Sequence, residues 1–190
     1  MKLNWLQKLG LGLIFLSLVL LIGSEVTAKI HRRNIEKVTA RLETMLSAPR
    51  QGNPGDYSDT AMPVLALEGR DYVALLQVPA FGVSLPVAHD WSSNLSAGPC
   101  RFWGSAYDGT LIIGGSHREG HLDFCDRLDI GEKMTVTDMA GTRFTYEVAR
   151  IERGPHADPQ RLLAGEWDLT LFVRDSGTTD YILVRCLLCP

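Results

Sequence analysis

Four thiols, Cys100, Cys125, Cys186 and Cys189, and the histidine pair His117 and His121 are the side chains of this 190-residue chain with the most chemistry to offer. Thiols and imidazoles bind metals, and a thiolate also attacks carbonyl carbon. The spacing argues against a metal. Cys186-Leu-Leu-Cys189 has no second CxxC to complete a zinc set. His117 and His121, with Asp123 nearby, would share one face of a helix, but Gly120 makes that stretch read as a loop. Cys125 sits between Asp123 and Asp126, whose carboxylates would raise its pKa and suppress its reactivity. No metal or other cofactor is expected. The thiols read as buried groups or as one disulfide.

The elements that must hold these residues are short. Apolar runs separated by turns lie at 72–78, 83–87, 110–114, 133–137, 142–151, 168–173 and 181–187. Their length and their β-branched and aromatic content predict an all-β barrel or sandwich. Hairpin turns are expected at Asp138–Gly141, where Gly141 supplies a positive φ, and at Ser176-Gly177. Short helical turns are expected near Ser92–Leu95, Leu122–Leu128 and Pro159–Ala164.

Charge divides the chain. Residues 1–37 hold six Lys/Arg against Glu25 and Glu36, a balance of +4 that leaves −7 for the rest of a chain of net charge −3. That acidic remainder offers no basic footprint for nucleic acid. Leu9–Ser24 is a sixteen-residue uncharged stretch and reads as a membrane anchor in preference to a cleaved signal peptide. Ile30, Ile35, Val38, Leu42 and Met45 follow at roughly helical spacing. The expected organisation is a cytoplasmic tail and transmembrane anchor over 1–27, a helical stalk and linker over 28–63, and a folded domain over 64–190. This makes a single-pass membrane protein with its domain outside the cell.

Within the domain a series of strings falls in a familiar order. Val78-Pro79 with Val83–Val87, Pro99–Ser105, Leu111–Gly115, Leu128–Glu132, Phe144–Val148, Trp167–Phe172 and Val184-Arg185-Cys186 resemble the successive strands of a sortase, most closely the class B-like sortases of Gram-positive bacteria. The resemblance spans about Tyr72 to Cys186. It implies a closed eight-stranded β-barrel with short helices, following a membrane helix and stalk. It also implies the family's activity, a cysteine transpeptidase that cuts a sorting signal and joins the protein to a cell-wall or pilin amine. Such an enzyme needs a thiolate, an imidazole to move the proton and a guanidinium for the oxyanion.

Position by position, the resemblance places the family's His, Cys and Arg on Ser116, Arg174 and Tyr181. None is the required type, and a guanidinium cannot attack a carbonyl. A shift of one residue would return an imidazole through His117, and His121 matches a second family histidine with a structural role. Cys186, twelve residues past Arg174, is the nearest thiol, roughly 15 Å along the next strand from Tyr181. It resembles an additional family cysteine that pairs or packs with the one matching Cys100. Arg174 would suit a carboxylate or the backbone carbonyls of a bound peptide.

Three readings follow. The leading one is a nucleophile-lacking sortase homologue that binds sorting-signal peptides, surface or pilin proteins, or an active sortase. The second is an active transpeptidase using His117 and Cys186. The third is a structural envelope protein.

Overall fold

The computed structural model describes residues 13–15, 17, 33–91, 98–155, 159–174 and 180–189. Among the described residues there are ten strands: β1 (Arg50–Gln51), β2 (Leu65–Leu67), β3 (Arg70–Val78), β4 (Val83–Ala88), β5 (Cys100–Trp103), β6 (Leu111–Ser116), β7 (Lys133–Asp138), β8 (Thr142–Pro155), β9 (Leu169–Arg174) and β10 (Asp180–Leu188). The helices are α1 over 33–45 and α2 (Pro159–Leu163), with 3-10 turns at Pro79–Phe81 and Asp123–Asp126. The expected turn at Ser92–Leu95 and the Ser176-Gly177 hairpin lie outside the described residues.

Eight strands close on themselves in the order β3-β4-β5-β6-β9-β10-β8-β7, with β7 pairing back to β3. Closure leaves the barrel without open edges. The flanking strands β2 and β1 add to β3 and β8. Period-two alternation fills the interior: Leu111 and Ile113 of β6, Leu169, Leu171 and Val173 of β9, and Val184 and Cys186 of β10 belong to one buried core with Phe144 and Tyr146 of β8.

The run Tyr72–Val78 does not alternate cleanly because β3 is covered on both sides. Val73, Leu76 and Val78 face the barrel core, whereas Tyr72 and Leu75 pack under α1 against Val38, Leu42 and Leu46. The spacing of four along α1 puts those three on one stripe, and Met45 is left exposed. Within the described part of 28–63, the helix and the segment after it lie against the barrel. α1 docks on the barrel, Arg50 and Gln51 pair with β8, and Tyr57 stacks on Tyr107 with ring centroids 4.1 Å apart. Most of the stretch read as an anchor is outside the described residues; 13–15 and 17 are helical. No helix among the described residues is long and apolar enough to cross a membrane.

The β7–β8 hairpin turns where the sequence expects, with Gly141 at φ 82°. Its anchor is Asp138, fully buried, whose Oδ1 accepts from the backbone N–H of Ala140 and of Thr142, each at 2.8 Å. Oδ2 accepts from the Tyr107 hydroxyl. Removing the carboxylate strands two donors of buried residues, the Thr142 N–H and the Tyr107 hydroxyl, and frees a third on exposed Ala140. Asp138→Ala is expected to cost about 3 kcal/mol or more of unfolding free energy, and Tyr107→Phe about 1 kcal/mol, both read from denaturant midpoints.

Candidate functional site

Strand register brings Ser116, Arg174 and Tyr181 together. Ser116 pairs with Arg174 across the parallel β6–β9 ladder, and Arg174 pairs with Tyr181 across the antiparallel β9–β10 ladder. Because Gly115, Val173 and Ile182 turn inward, alternation directs Ser116, Arg174 and Tyr181 outward in one transverse row. The next outward row is Gly114, Phe172 and Leu183. The Trp91 indole lies on Gly114, where a Cβ would come within 2.1 Å of the ring. Trp91 meets Phe102 edge-on at 4.9 Å. Gly115 has more room: its Cβ position is 3.0 Å from the Leu122 side chain, which would have to give by a few tenths of an ångström. The glycine at 114 is thus the one that its neighbour, the Trp91 ring, requires.

On the other flank, α2 lies over β10. Buried Arg185 donates from Nη1 to the Leu162 carbonyl and to Thr170 Oγ1, each at 2.9 Å, and from Nη2 to the Arg161 carbonyl. Its Nε lies 3.6 Å from a Glu152 carboxylate oxygen. Burial lowers the Arg185 pKa, and Glu152 opposes that shift. Arg161 in turn donates to the Tyr181 hydroxyl at 3.1 Å. Tyr181 and Arg185 therefore hold α2 in place rather than presenting free polar groups.

The two histidines differ. His121 is buried, with Nε2 2.9 Å from Arg118 Nη2 and Nδ1 3.3 Å from Ser116 Oγ. A guanidinium can only donate, so Nε2 accepts and Nδ1 carries the proton, which it gives to Ser116 Oγ. Such an imidazole cannot take the serine's proton. Ser116 is no activated nucleophile, and His121 is structural.

His117 lies just past β6. Its backbone N–H donates to the Arg174 carbonyl at 3.0 Å, and its Nε2 reaches Asp126 Oδ2 at 3.3 Å. The ring lines a cavity of about 480 Å³ at the end of the barrel, bounded also by Asp126, Arg153–Pro155, Val173 and Asp180–Ile182. The one-residue shift therefore takes the imidazole into the cavity beside the row. Asp126 also holds Arg153 through its carbonyl, at 3.1 Å. In the sequence Asp126 was legible only as a neighbour of Cys125, and nothing marked Arg153 as a cavity residue. Both come from elements distant in the chain from the strands they flank.

Arg174 is exposed, and no side chain among the described residues pairs with its guanidinium. The thiols lie elsewhere. Cys125 and Cys186 are in the barrel core, and Cys186 pairs with Leu169, five positions along β9 from Arg174. Cys100 is buried on β5, all four cysteines are free, and the disulfide considered above is not formed. Cys186 and Cys125 are pushed well above the ordinary thiol value, chiefly by burial, and burial raises Cys100 too. No group of three or more metal-ligating side chains occurs among the described residues.

This barrel, with its outward row at the ends of three adjacent strands, has the sortase fold. Among solved structures the chain is similar to a lid mutant of sortase A from Corynebacterium diphtheriae (21% identity, 64% of this chain and 72% of that one, TM-score 0.55). It is also similar to sortase C1 from Streptococcus agalactiae (22%, 66% and 72%, 0.55) and to sortase C-1 from Actinomyces oris (20%, 82% and 98%, 0.54). No family model matches the sequence, and no curated protein does.

Two outcomes follow from the thiol environments. In the folded chain iodoacetamide is expected to modify Cys189, which is partly exposed, and to spare the other three until denaturant is added, as read by peptide mass mapping. Because folding raises the Cys125 and Cys186 pKa values, the folded state keeps protons that the unfolded chain loses above about pH 8.5. Their stabilising contribution is complete below that pH and declines as the pH rises beyond it. The melting temperature is expected to fall between pH 8.5 and 10.5 in a calorimetric series.

Proposed function

We propose that this chain is a sortase homologue without its nucleophile, acting as a binding protein for sorting-signal peptides or for cell-wall or pilin proteins that carry them. One observation carries the reading: an exposed arginine, Arg174, stands in one row with Ser116 and Tyr181, the three positions to which the sequence resemblance assigns the family's Cys, His and Arg. The fold and the solved sortases it resembles support a peptide as the ligand class. The class B-like subdivision and the Gram-positive setting rest on the strand strings alone. So does the single-pass placement, with segment 1–27 as membrane anchor and the barrel on the outer side. An active sortase is a further candidate partner.

An active transpeptidase with His117 as acid/base and Cys186 as nucleophile is the alternative. His117 favours it, being paired with Asp126 and facing a cavity. Cys186 disfavours it, being buried with a raised pKa on the inward face of β10. A purely structural envelope protein would leave Arg174 without a ligand.

The test is mass spectrometry of the full chain after incubation with sorting-signal peptides that trap a thioester, with a known active sortase as positive control. The binding reading expects no covalent adduct on any cysteine. An adduct that disappears in Cys186→Ala would establish the transpeptidase instead.

A further inference from the structure

Arg174 carries more information than the loss of a thiol. Its neighbours in the row, Ser116 and Tyr181, are neutral. Asp126 and Asp180 line the cavity at the barrel end, and strand alternation turns Asp180 to the face opposite Arg174. The guanidinium therefore stands outward with no described carboxylate paired to it. It is a rigid fork of N–H donors matched to the two oxygens of a carboxylate, and charge-assisted bonds of this kind are about twice as strong as neutral ones.

A peptide passing uncut along this face offers neutral backbone carbonyls at the row, and a carboxylate only where an Asp or Glu side chain falls there. One that ends there offers a carboxylate. We propose that the ligand of this groove is a peptide or protein segment with a free C-terminal carboxylate, held bidentately by Arg174, its last side chain directed into the cavity lined by His117, Val173 and Tyr181. Arg174 does not itself line that cavity, but its backbone adjoins the lining: Val173 precedes Arg174, Tyr181 is its strand partner, and His117 donates to its carbonyl at 3.0 Å. The reaction that supplies such a ligand is peptide hydrolysis, which leaves a carboxylate where the chain was cut. The inference rests on the reading of this face as a peptide groove.

The test is fluorescence anisotropy with the full chain in detergent micelles and two pools of fluorescein-labelled random hexapeptides, one ending in free acids and the other in amides. The acid pool is expected to bind about tenfold or more tightly. Arg174→Gln should remove the difference between the pools, and Arg174→Lys, which keeps the charge but loses the fork, should keep only part of it. Circular dichroism would confirm that each variant is folded. Equal binding of the two pools, or an acid preference that persists in Arg174→Gln, overturns the carboxylate and leaves the peptide groove standing. Binding of neither pool removes both.

Discussion

The register of β9 between β6 and β10 is the constraint on which the site depends. Leu169, Leu171 and Val173 fill the barrel core, so a slip of one residue would expose all three and drive Thr170, Phe172 and Arg174 inward. That cost pins β9 against both neighbours and sets Ser116, Arg174 and Tyr181 side by side although 65 residues of chain separate the first from the last. The row is a consequence of core packing, and its chemistry is whatever side chains occupy it.

Those occupants sort by burial. Tyr181 is buried and bonded to Arg161, and Ser116 accepts from His121, so two of the three are absorbed into the scaffold. Arg174 alone projects freely. The same alternation that frees Arg174 buries Cys186, because inward and outward residues of β10 cannot exchange faces without dismantling the core. A thiol that is desolvated and protonated inside the barrel offers no thiolate to the row. The row therefore presents a cation, and no thiol, on the outer face of the barrel.

Seven of the eight barrel strands were legible as apolar runs, because each carries enough β-branched or aromatic residues between turn signals. β5 was visible only through its resemblance to a family strand, since Cys100–Trp103 is too short to show a period. The Asp138–Gly141 turn was legible from its glycine, but the buried carboxylate holding it was not, because a turn aspartate looks the same in sequence whether buried or solvated. The docking of α1 was hidden for a related reason: an apolar stripe shows that a helix face is covered without naming the cover. His117, Ser116, Arg174 and Tyr181 were all named from sequence. The Asp126 and Arg153 contributions arise from tertiary proximity, which spacing along the chain does not encode.

The most direct test of the central claim, that this row is a sortase-type site with its side chains exchanged, is to restore the trio. A full-length chain carrying Ser116→His, Arg174→Cys and Tyr181→Arg would be incubated with sorting-signal peptides and its mass measured, after circular dichroism has shown the barrel intact. The account predicts an acyl adduct on the thiol introduced at position 174, absent when Arg174→Ala replaces Arg174→Cys in the same background. A folded variant whose introduced thiol stays unmodified, while an active sortase acylates under the same conditions, would contradict it.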